Sequence, residues 1–332
     1  MKKITVKEIA QMAGVSVTTV SVVLNNKPGV SDVVRQRVQE IIDENHFKPN
    51  LNSKKLLKNK SYNICLLISN YSSPFNDLFY FDNARGILNQ CSQYGYNLIM
   101  SNYPNDTEDL PDIVYSGDVD GMIFLQDISS SVLQKVTETD IPFVVVDALK
   151  VMDGVTSIYP DYSSAAYDAT SYLIDQGHRD IVLIANKEVD SFFAQIYQGF
   201  QKAMTDNGLS LCKNQLSISV SGEEAASRTV KTLLTNQNRP SALLCATDIL
   251  AIGAIQGAKK ARLSVPDDVS VVGIDDIFLS RYIEPKLTTV SVNKEEMGVY
   301  AMDLLYKKLK GKTPESILLP MNLVVRDSVE KI

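Results

Sequence analysis

The first 49 residues carry apolar positions at helical spacing, separated by turn signals. Thr5 and Glu8 form a capping box that predicts a helix start, and Gly14 suits the tight turn that ends this helix. Ser16 is placed to cap a second helix and Ser31 a third. The segment therefore predicts a unit of three short helices. The predicted inward-facing positions are Ile9, Ala10, Ala13, Val20, Val23, Leu24, Val34, Val38, Ile41 and Ile42.

From Tyr62 onward, short apolar runs alternate with amphipathic segments. Such runs are typical of strands that are buried on both faces of a parallel sheet, and their alternation with helices predicts a doubly wound α/β body. Several of these runs end in Asp or Asn, at the strand ends where open parallel sheets bind ligands. The runs are "NICLLIS", "YNLIMSN", "DGMIFL", "PFVVVDA", "DIVLIAN", "ALLCATD" and "VSVVGIDD". The polar strand ends are Asn70, Asp147, Asn186, Asp248 and Asp275.

The charge of the chain is distributed unevenly. Residues 1–60 hold eleven Lys/Arg and five Asp/Glu, a net charge of +6, whereas the other residues hold 22 and 34, a net charge of −12. A basic head on an acidic body indicates that only the head meets a polyanion. A basic tail that is merely solvated is the alternative, but the apolar periodicity of the head argues against it.

The sequence offers little for metal, membrane or catalytic chemistry. The four cysteines are far apart without a CxxC pair, and the chain has two histidines, so we expect no metal site and a reducing compartment. Lys2-Lys3 is not followed by a signal-peptide apolar region, and no run approaches about 18 apolar residues. We therefore expect a cytoplasmic protein. With no phosphate loop and no catalytic constellation, we expect no enzyme and no cofactor.

The first two predicted helices, joined through Gly14, match a helix-turn-helix, whose second helix lies in the major groove of DNA. Val17, Thr18, Ser21 and Val22 are its predicted outward positions. Valine forms no hydrogen bond with a base but packs on a thymine methyl group, and Thr18 can do either. The valines are therefore interpreted as readers of thymine. The alternative is that they contribute little and that phosphate contacts dominate.

Motifs along the whole length resemble the lactose-repressor (LacI/GalR) family of bacterial transcriptional regulators. The resemblance implies a three-helix head (1–49), a hinge helix (50–60) and a body (61–332) folded like periplasmic sugar receptors. It also implies a homodimer that binds a near-palindromic double-stranded operator, most often as a repressor, with an affinity set by a small effector. The motifs are "TVKEIAQMAGVSVTTVSVVLNN", "PGVS", "KPNLNSKKLLK", "VDGMIFL", "IPFVVVD", "YLIDQGHRDIVLI", "GFQKAM", "PSALLCATDILAIGAI", "VPDDVSVVGIDD", "LTTV" and "EEMG".

The resemblance also implies which residues meet DNA. The position of Val22 is often Arg in the family, and Leu56 falls on a leucine that wedges into the minor groove, where an apolar insertion kinks the duplex. Ordinary helix packing by Leu56 is the alternative. Lysines of the hinge would lie beside phosphates. The implied DNA-binding residues are Thr5, Val17, Thr18, Thr19, Ser21, Val22, Asn25, Ser31, Asn50, Lys54, Lys55 and Leu56.

Two subdomains are implied in the body, about 61–157 with 288–317 and about 158–287 with 318–332, which clamp the effector between them. Two positions depart from the family pattern, because Ile196 replaces an Arg and Thr247 an Asn. Loss of the Arg removes a bidentate grip on a hydroxylated or anionic ligand. The implied effector-binding residues are Phe75, Asp147, Phe193, Ile196, Thr247 and Asp275.

These departures leave the effector open. A sugar or sugar-like molecule is expected, held differently from an ordinary pentose or hexose, and a less polar molecule is an alternative. Another alternative is a phosphorylated carrier protein. Asp303 lies among Lys307 and Lys308 on the helix that such a partner would contact, and its negative charge argues against a phosphate site on that helix. A solute-binding receptor of the same fold is disfavoured by the helix-turn-helix head.

Overall fold

The computed structural model describes residues 4–24, 26–45, 47, 60–69, 75, 77–103, 109–149, 152–186, 190–209, 216–218 and 222–332. The chain divides into two compact units, Met1–Tyr62 and Asn63–Ile332. This division lies two residues after the predicted end of the hinge. The predicted hinge helix and its residues Asn50, Lys54, Lys55 and Leu56 lie outside the described residues, as does Asn25.

The first unit contains three helices around one apolar core. They are α1 (Val6–Ala13), α2 (Val17–Leu24) and α3 (Asp32–Glu44). Val20 and Val38 are completely buried in this core, whereas Leu24, Val34 and Ile41 are partly buried against it. The three-helix arrangement and its inward faces therefore agree with the apolar spacing of the sequence.

The second unit contains two six-stranded sheets, each with helices packed on it, and we call them lobe 1 and lobe 2. Lobe 1 comprises β1 (Asn63–Ile68), α4 (Leu78–Gln93), β2 (Asn97–Asn102), α5 (Asp112–Tyr115), β3 (Gly121–Leu125), α6 (Ser130–Glu138), β4 (Phe143–Val146), β5 (Ser157–Pro160), α11 (Lys294–Leu309) and β11 (Ile317–Leu319). Lobe 2 comprises α7 (Tyr162–Asp175), β6 (Ile181–Ala185), α8 (Asp190–Asp206), β7 (Leu216–Ile218), α9 (Glu223–Leu234), β8 (Ala242–Cys245), α10 (Asp248–Lys260), β9 (Ser270–Asp275), a 3-10 helix (Phe278–Arg281), β10 (Thr288–Ser291) and β12 (Asn322–Val324).

The two sheets have the same strand order. Lobe 1 reads β2-β1-β3-β4-β5-β11 and lobe 2 reads β7-β6-β8-β9-β10-β12. All neighbouring strands are parallel except β12, which pairs antiparallel with β10. Each lobe is therefore a doubly wound α/β sheet with a switch in strand order between its first and third strands, as predicted for the body.

The chain crosses between the lobes three times, and all three crossings lie a few residues from the predicted boundaries. The whole of β5 pairs with β4 and β11 in lobe 1, so the first crossing follows Pro160, not residue 157. The whole of β10 pairs with β9 in lobe 2, so the second crossing follows Ser291, not residue 287. The whole of β11 pairs with β5 in lobe 1, so the third crossing follows Leu319, not residue 317. The short strands β5 and β10 contain several polar residues, and no apolar run marks where they end.

Helices α4 and α11 approach each other closely on lobe 1. A side chain at Gly86 would come within 2.1 Å of the Glu295 carbonyl oxygen, and one at Gly298 within 2.1 Å of the Asn83 carbonyl oxygen. Both glycines therefore permit a backbone contact that no larger residue allows. This contact ties the start of α11, which follows the second crossing, to lobe 1.

Candidate functional site

The turn between α1 and α2 has the geometry of a helix-turn-helix. Thr5 caps α1 in a complete capping box with Glu8. Gly14 ends α1 at φ 64°, in the left-handed region that glycine adopts at no steric cost. Ser16 Oγ then accepts the Thr19 amide at 3.0 Å and so caps α2. These local rules, all readable from the sequence, orient α2 against α1.

The solvent-facing side of α2 presents both apolar and hydroxyl side chains. Val17 is 45% exposed and Thr18 is exposed beside it, whereas Val20 is buried. Val22 is half-buried and so less prominent than its predicted outward position suggests. Val17 and Thr18 are therefore the two members of the predicted base-reading set that lie most open on this helix.

Other predicted DNA-binding residues of the head have roles in the structure. The Thr19 hydroxyl lies 2.9 Å from Ser16 Oγ, and Ser21 is half-buried. Ser31 caps α3 by accepting the Val34 amide at 3.5 Å. Thr5 and Ser31 are exposed helix caps, so each has a role in the fold besides any contact with DNA.

In the body, Asp147 stands at the carboxyl end of β4 and connects the two lobes. Its two carboxylate oxygens accept one hydrogen bond each, from Tyr80 of α4 and from Tyr162 at the start of α7, both at 2.7 Å. Burial raises the pKa of Asp147 to about 7, although the two phenol hydrogen bonds lower it. Because Tyr80 belongs to lobe 1 and Tyr162 to lobe 2, this carboxylate bridges the lobes.

A second contact between the lobes lies nearby. The Gln195 side-chain amide of α8 donates to the Leu149 carbonyl oxygen of lobe 1 at 2.7 Å. Phe192, one turn earlier in α8, meets the ring of Tyr162 edge to face at a centroid distance of 4.8 Å. The beginnings of α7 and α8 therefore face the carboxyl end of β4.

Asp275 stands at the carboxyl end of β9 with φ 117°, a conformation rare for a residue with a side chain. It is 8% exposed, and no hydrogen-bond donor to its carboxylate is found among the residues that the structure describes. Burial raises its pKa well above the ordinary value, and the charges of Asp248, Asp77 and Asp147 add to this shift, whereas Lys294 opposes it. Asp275 of lobe 2 therefore faces the same region as Asp147 of lobe 1.

Lys294, the first residue of α11, holds the Asp275 backbone in place. Its buried ammonium donates to the carbonyl oxygens of Asp275, Asp276 and Val292. It thus fixes the end of β9 and of β10 at the second crossing.

Two neighbouring carboxylates are fully engaged within lobe 2. Asp276 binds Arg326 at 2.5 Å and Arg281 at 3.1 Å. Asp248 is buried and accepts hydrogen bonds from the Ile277 amide and from the hydroxyls of Ser280 and Thr289. Both residues therefore hold the loop that follows β9 in place.

The other predicted effector residues lie in different surroundings. Ile196 is 0% exposed, within the face of α8 that packs on α7. Thr247 is half-buried and caps α10 through the Leu250 amide at 3.4 Å. Phe193 stacks on Tyr197 at a centroid distance of 5.7 Å, and Phe75 is largely exposed. The structure thus brings Asp147 and Asp275 together and gives Ile196 no open surface.

Sequence reasoning missed Tyr80, Tyr162, Gln195 and Lys294. No motif marks them, because they lie far from Asp147 and Asp275 along the chain and meet them only through the fold. The one available signal was that a buried strand-end carboxylate requires hydrogen-bond donors.

Asp303 and Lys308 of α11, weighed above for a phosphate site, both have partners within the fold. Asp303 of α11 accepts hydrogen bonds from Gln90 at 2.6 Å and Tyr94 at 2.7 Å. Lys308 donates to the Phe143 carbonyl oxygen at 3.0 Å, and burial lowers its pKa. Lys308 is thus directed into lobe 1 and does not extend toward a partner.

Within the described ranges, no three His, Cys, Asp or Glu side chains are grouped closely enough to hold a metal ion. The same part of the chain contains no helix long and apolar enough to cross a membrane.

Comparison with known proteins relates both units to one family. Residues 5–50 match the model of "Bacterial regulatory proteins, lacI family", and residues 170–329 match that of a periplasmic binding protein-like domain. The chain is 32% identical to the HTH-type transcriptional repressor PurR of Histophilus somni (strain 129Pt), over 99% of each chain. Among solved structures, a complex of the transcriptional regulator CelR with cellobiose matches at 26% identity and TM-score 0.72, covering 98% of this chain and all of that one.

The lac repressor dimer bound to operator and the anti-inducer ONPF matches at 23% identity and TM-score 0.85, over 99% of this chain and all of that one, a likeness in fold. The family matches, together with the helix-turn-helix of the first unit and the paired lobes of the second, identify the function class. The chain belongs to the lacI family of bacterial regulatory proteins, and it is a DNA-binding transcriptional regulator with an effector-binding domain.

Proposed function

We propose that this regulator is a repressor that reads its operator through the exposed side of α2 and changes its hold on DNA when a sugar-like effector binds between lobes 1 and 2. The observation that carries the effector site is the convergence of Asp147 and Asp275. They come from opposite lobes, at the carboxyl ends of β4 and β9, where ligands of such sheets bind.

The chemistry of this region suits a ligand rich in hydrogen-bond donors. Carboxylates accept several hydrogen bonds each, and a sugar presents hydroxyl donors on several sides. The CelR relative is described in complex with cellobiose, which supports a sugar-like effector here. In this arrangement Asp275 contacts the effector directly, whereas Asp147 joins it to both lobes through Tyr80 and Tyr162.

Ligand binding between two lobes provides a mechanism for control. Closure around the ligand is a hinge motion, and here it changes the relative position of the lobes at the three crossings. The ligand shifts operator affinity by as much as it prefers one lobe arrangement over the other. The head itself then needs no direct contact with the effector.

Dimerisation completes the proposal, because two heads on a twofold axis read a near-palindromic operator. The outer side of α4 presents an exposed apolar row of Leu78, Phe81 and Leu88. The lac repressor of similar fold is described as a dimer on its operator, and we propose that this row meets a second copy of the chain. Sedimentation of the full chain at twice its 36.7 kDa mass is the expected result.

The test begins with in-vitro selection of DNA duplexes by the full-length protein at moderate salt. Metabolites suggested by the genes next to the selected sequences are then assayed for an effect on operator affinity. Asp275→Ala is expected to abolish that effect and to leave operator affinity without effector unchanged, since Asp275 is not part of the head. An effector response that persists in Asp275→Ala contradicts the proposed site.

A further inference from the structure

The region between the lobes concentrates carboxyl groups from separate parts of the chain. Asp77 caps α4, Asp147 ends β4 and Asp275 ends β9, so three separate elements bring carboxylates there. The charge of Asp77 raises the pKa of both other carboxyls, after the larger contributions of burial and of a nearer aspartate. Carboxylates that interact in this way repel one another unless a cation or protons compensate.

The hydrogen bonds of this cluster bring no positive charge to it. Asp147 is bonded to two neutral phenols, and Asp77 accepts the Phe79 amide at 2.9 Å. The charge of Lys294 lowers the pKa of Asp275, but its ammonium donates its hydrogen bonds to backbone carbonyl oxygens and not to the carboxylate. Hydrogen bonds from phenols and amides satisfy the carboxylate oxygens without neutralising their charge.

The adjacent residues Asp275 and Asp276 differ in whether a cation pairs with their carboxylates. Asp276 is paired with two guanidinium groups, those of Arg281 and Arg326. Asp275, the preceding residue, is more than nine-tenths buried, and among the described residues no side chain forms an ion pair or hydrogen bond with its carboxylate. A carboxylate that a mostly buried residue holds without a protein partner is free to bind a ligand, so it indicates a site completed by a ligand.

The surrounding side chains fit a positively charged group better than a neutral one. Ile196 stands where the resemblance expected an Arg, so that internal cation is missing from the chain. Tyr80 and Tyr162 contribute aromatic rings beside Asp147, and Phe192 packs on the ring of Tyr162. Aromatic rings attract cations through their negative faces, and they do so more strongly when water is excluded.

From these observations, and building on the effector site proposed above, we propose that the effector of this regulator is an organic cation whose ammonium or amidinium group pairs with Asp275. An amino sugar or a polyamine has this chemistry. A metal ion does not fit, because within the described residues no three ligating side chains are close enough to share one.

The first experiment measures the charge imbalance without any ligand. Thermal unfolding of the full-length protein at pH 8 is compared for wild type, Asp275→Asn and Asp267→Asn, whose Asp267 is exposed. Asp275→Asn is expected to raise Tm by about 2 °C or more, because the raised pKa of Asp275 means that the fold must either ionise this carboxyl unfavourably or bind a proton at pH 8, and both cost stability. Asp267→Asn is expected to leave Tm unchanged. A fall in Tm for Asp275→Asn means that the chain already pairs this carboxylate, and overturns the proposal.

The second experiment uses matched ligand pairs that differ in charge: glucosamine with glucose, galactosamine with galactose, and 1,4-diaminobutane or spermidine with 1,4-butanediol. We expect at least one amine to raise the Tm of wild type and to bind by titration calorimetry at least tenfold more tightly than its neutral partner. Asp275→Asn should lose this preference and Asp267→Asn should keep it. Equal binding of amines and neutral partners, or binding by no amine, overturns the proposal.

The ligand-binding experiment also distinguishes a failure of the cation proposal from a failure of the proposed effector site. A neutral sugar that binds wild type, fails to bind Asp275→Asn and alters operator affinity leaves the effector site standing and refutes only the cation. A ligand that alters operator affinity equally in wild type and Asp275→Asn refutes the site itself.

Discussion

At the scale of single residues, the pKa values of two adjacent carboxylates, Asp275 and Asp276, are shifted in opposite directions. Burial alone would raise the pKa of Asp276, but the hydrogen bonds and charges of Arg326 and Arg281 outweigh it, and the pKa is lowered. The pKa of Asp275 is raised, with burial as the main cause. Charged Asp276 therefore stabilises the fold, whereas Asp275 lowers stability when it is charged without a ligand.

This difference predicts that Asp276→Asn destabilises the protein. Removing the carboxylate leaves Arg326, whose side chain is 12% exposed, without its charged partner, and breaking such a buried pair costs about 3 kcal/mol. Urea unfolding at pH 7 measures the loss. The control is Asp268→Asn, which breaks the exposed pair with Arg239 and is expected to cost less than about 1 kcal/mol. Equal losses in the two variants would mean that burial of the Asp276 pair has no energetic consequence.

Asp147 predicts a pH dependence of stability. Its pKa is about 7 in the folded protein and 3.8 ordinarily, so the folded state holds more protons between these values. The free energy of unfolding therefore falls as pH rises from about 4 to about 7, and this contribution is level above pH 7. The pKa rise corresponds to roughly 4 kcal/mol.

Replacing Asp147 by Asn removes this titration. Urea unfolding from pH 4 to pH 8 should show a smaller decline in stability for Asp147→Asn than for wild type. Asp267→Asn, at an exposed carboxylate, should follow wild type. If wild type and Asp147→Asn decline in parallel, the bridging carboxylate does not titrate in this range.

At the scale of elements, local rules account for most of the fold. Capping at Thr5, Ser16 and Ser31 and the left-handed Gly14 define the three helices of the head. In the body, each long apolar run became a strand, and six of the seven are buried as their composition predicts, whereas β2 lies at the sheet edge and is partly exposed. The elements that the pattern missed are β5, β7, β10, β11 and β12, which have three or four residues each and no distinctive apolar run.

The effector site was predictable only in part, because the sequence reveals local properties but not which distant residues meet. Strand ends are a local property, so Asp147 and Asp275 were found from the sequence. Their partners depend on the fold: Tyr80 is 67 residues from Asp147, and Lys294 is 19 residues from Asp275. The burial of Ile196 likewise results from the packing of α7 on α8, which no residue spacing reveals.

The exposed side of α2 predicts how the operator is read. If Val17 packs on a thymine methyl, replacing that thymine by deoxyuridine removes the contact and should weaken binding by roughly 1 kcal/mol, about fivefold. Val17→Ala should weaken binding to the thymine duplex similarly and should be nearly insensitive to the exchange. Fluorescence anisotropy at fixed salt measures the four affinities.

Val33→Ala serves as the control, since Val33 is also an exposed valine of the head but lies on α3. It should retain the wild-type sensitivity to deoxyuridine. A wild-type protein that binds thymine and deoxyuridine duplexes equally well would show that phosphate contacts, and not valine–methyl contacts, dominate at this helix.

At the scale of the whole molecule, two hydrogen bonds among the described residues, besides those of Lys294, connect the lobes near the carboxyl ends of their sheets. Tyr162 donates to Asp147, and Gln195 donates to the Leu149 carbonyl oxygen. Both donors belong to lobe 2 and both acceptors to lobe 1. An effector bound beside them competes with or reinforces these hydrogen bonds, so they contribute to the energy difference between lobe arrangements that the effector exploits.

Tyr162→Phe isolates one of these contacts and keeps the ring that packs on Phe192. If the bridge favours one lobe arrangement, its loss changes the factor by which effector alters operator affinity, a coupling that typically amounts to about 1–3 kcal/mol. The same factor must appear when effector affinity is measured with and without operator, because coupling is reciprocal. Tyr167→Phe is the matched control. Tyr167 lies on α7, as Tyr162 does, but its phenol donates to Asp206 within lobe 2. An equal coupling factor in wild type, Tyr162→Phe and Tyr167→Phe would mean that the Asp147 bridge supports the fold and takes no part in the response to effector.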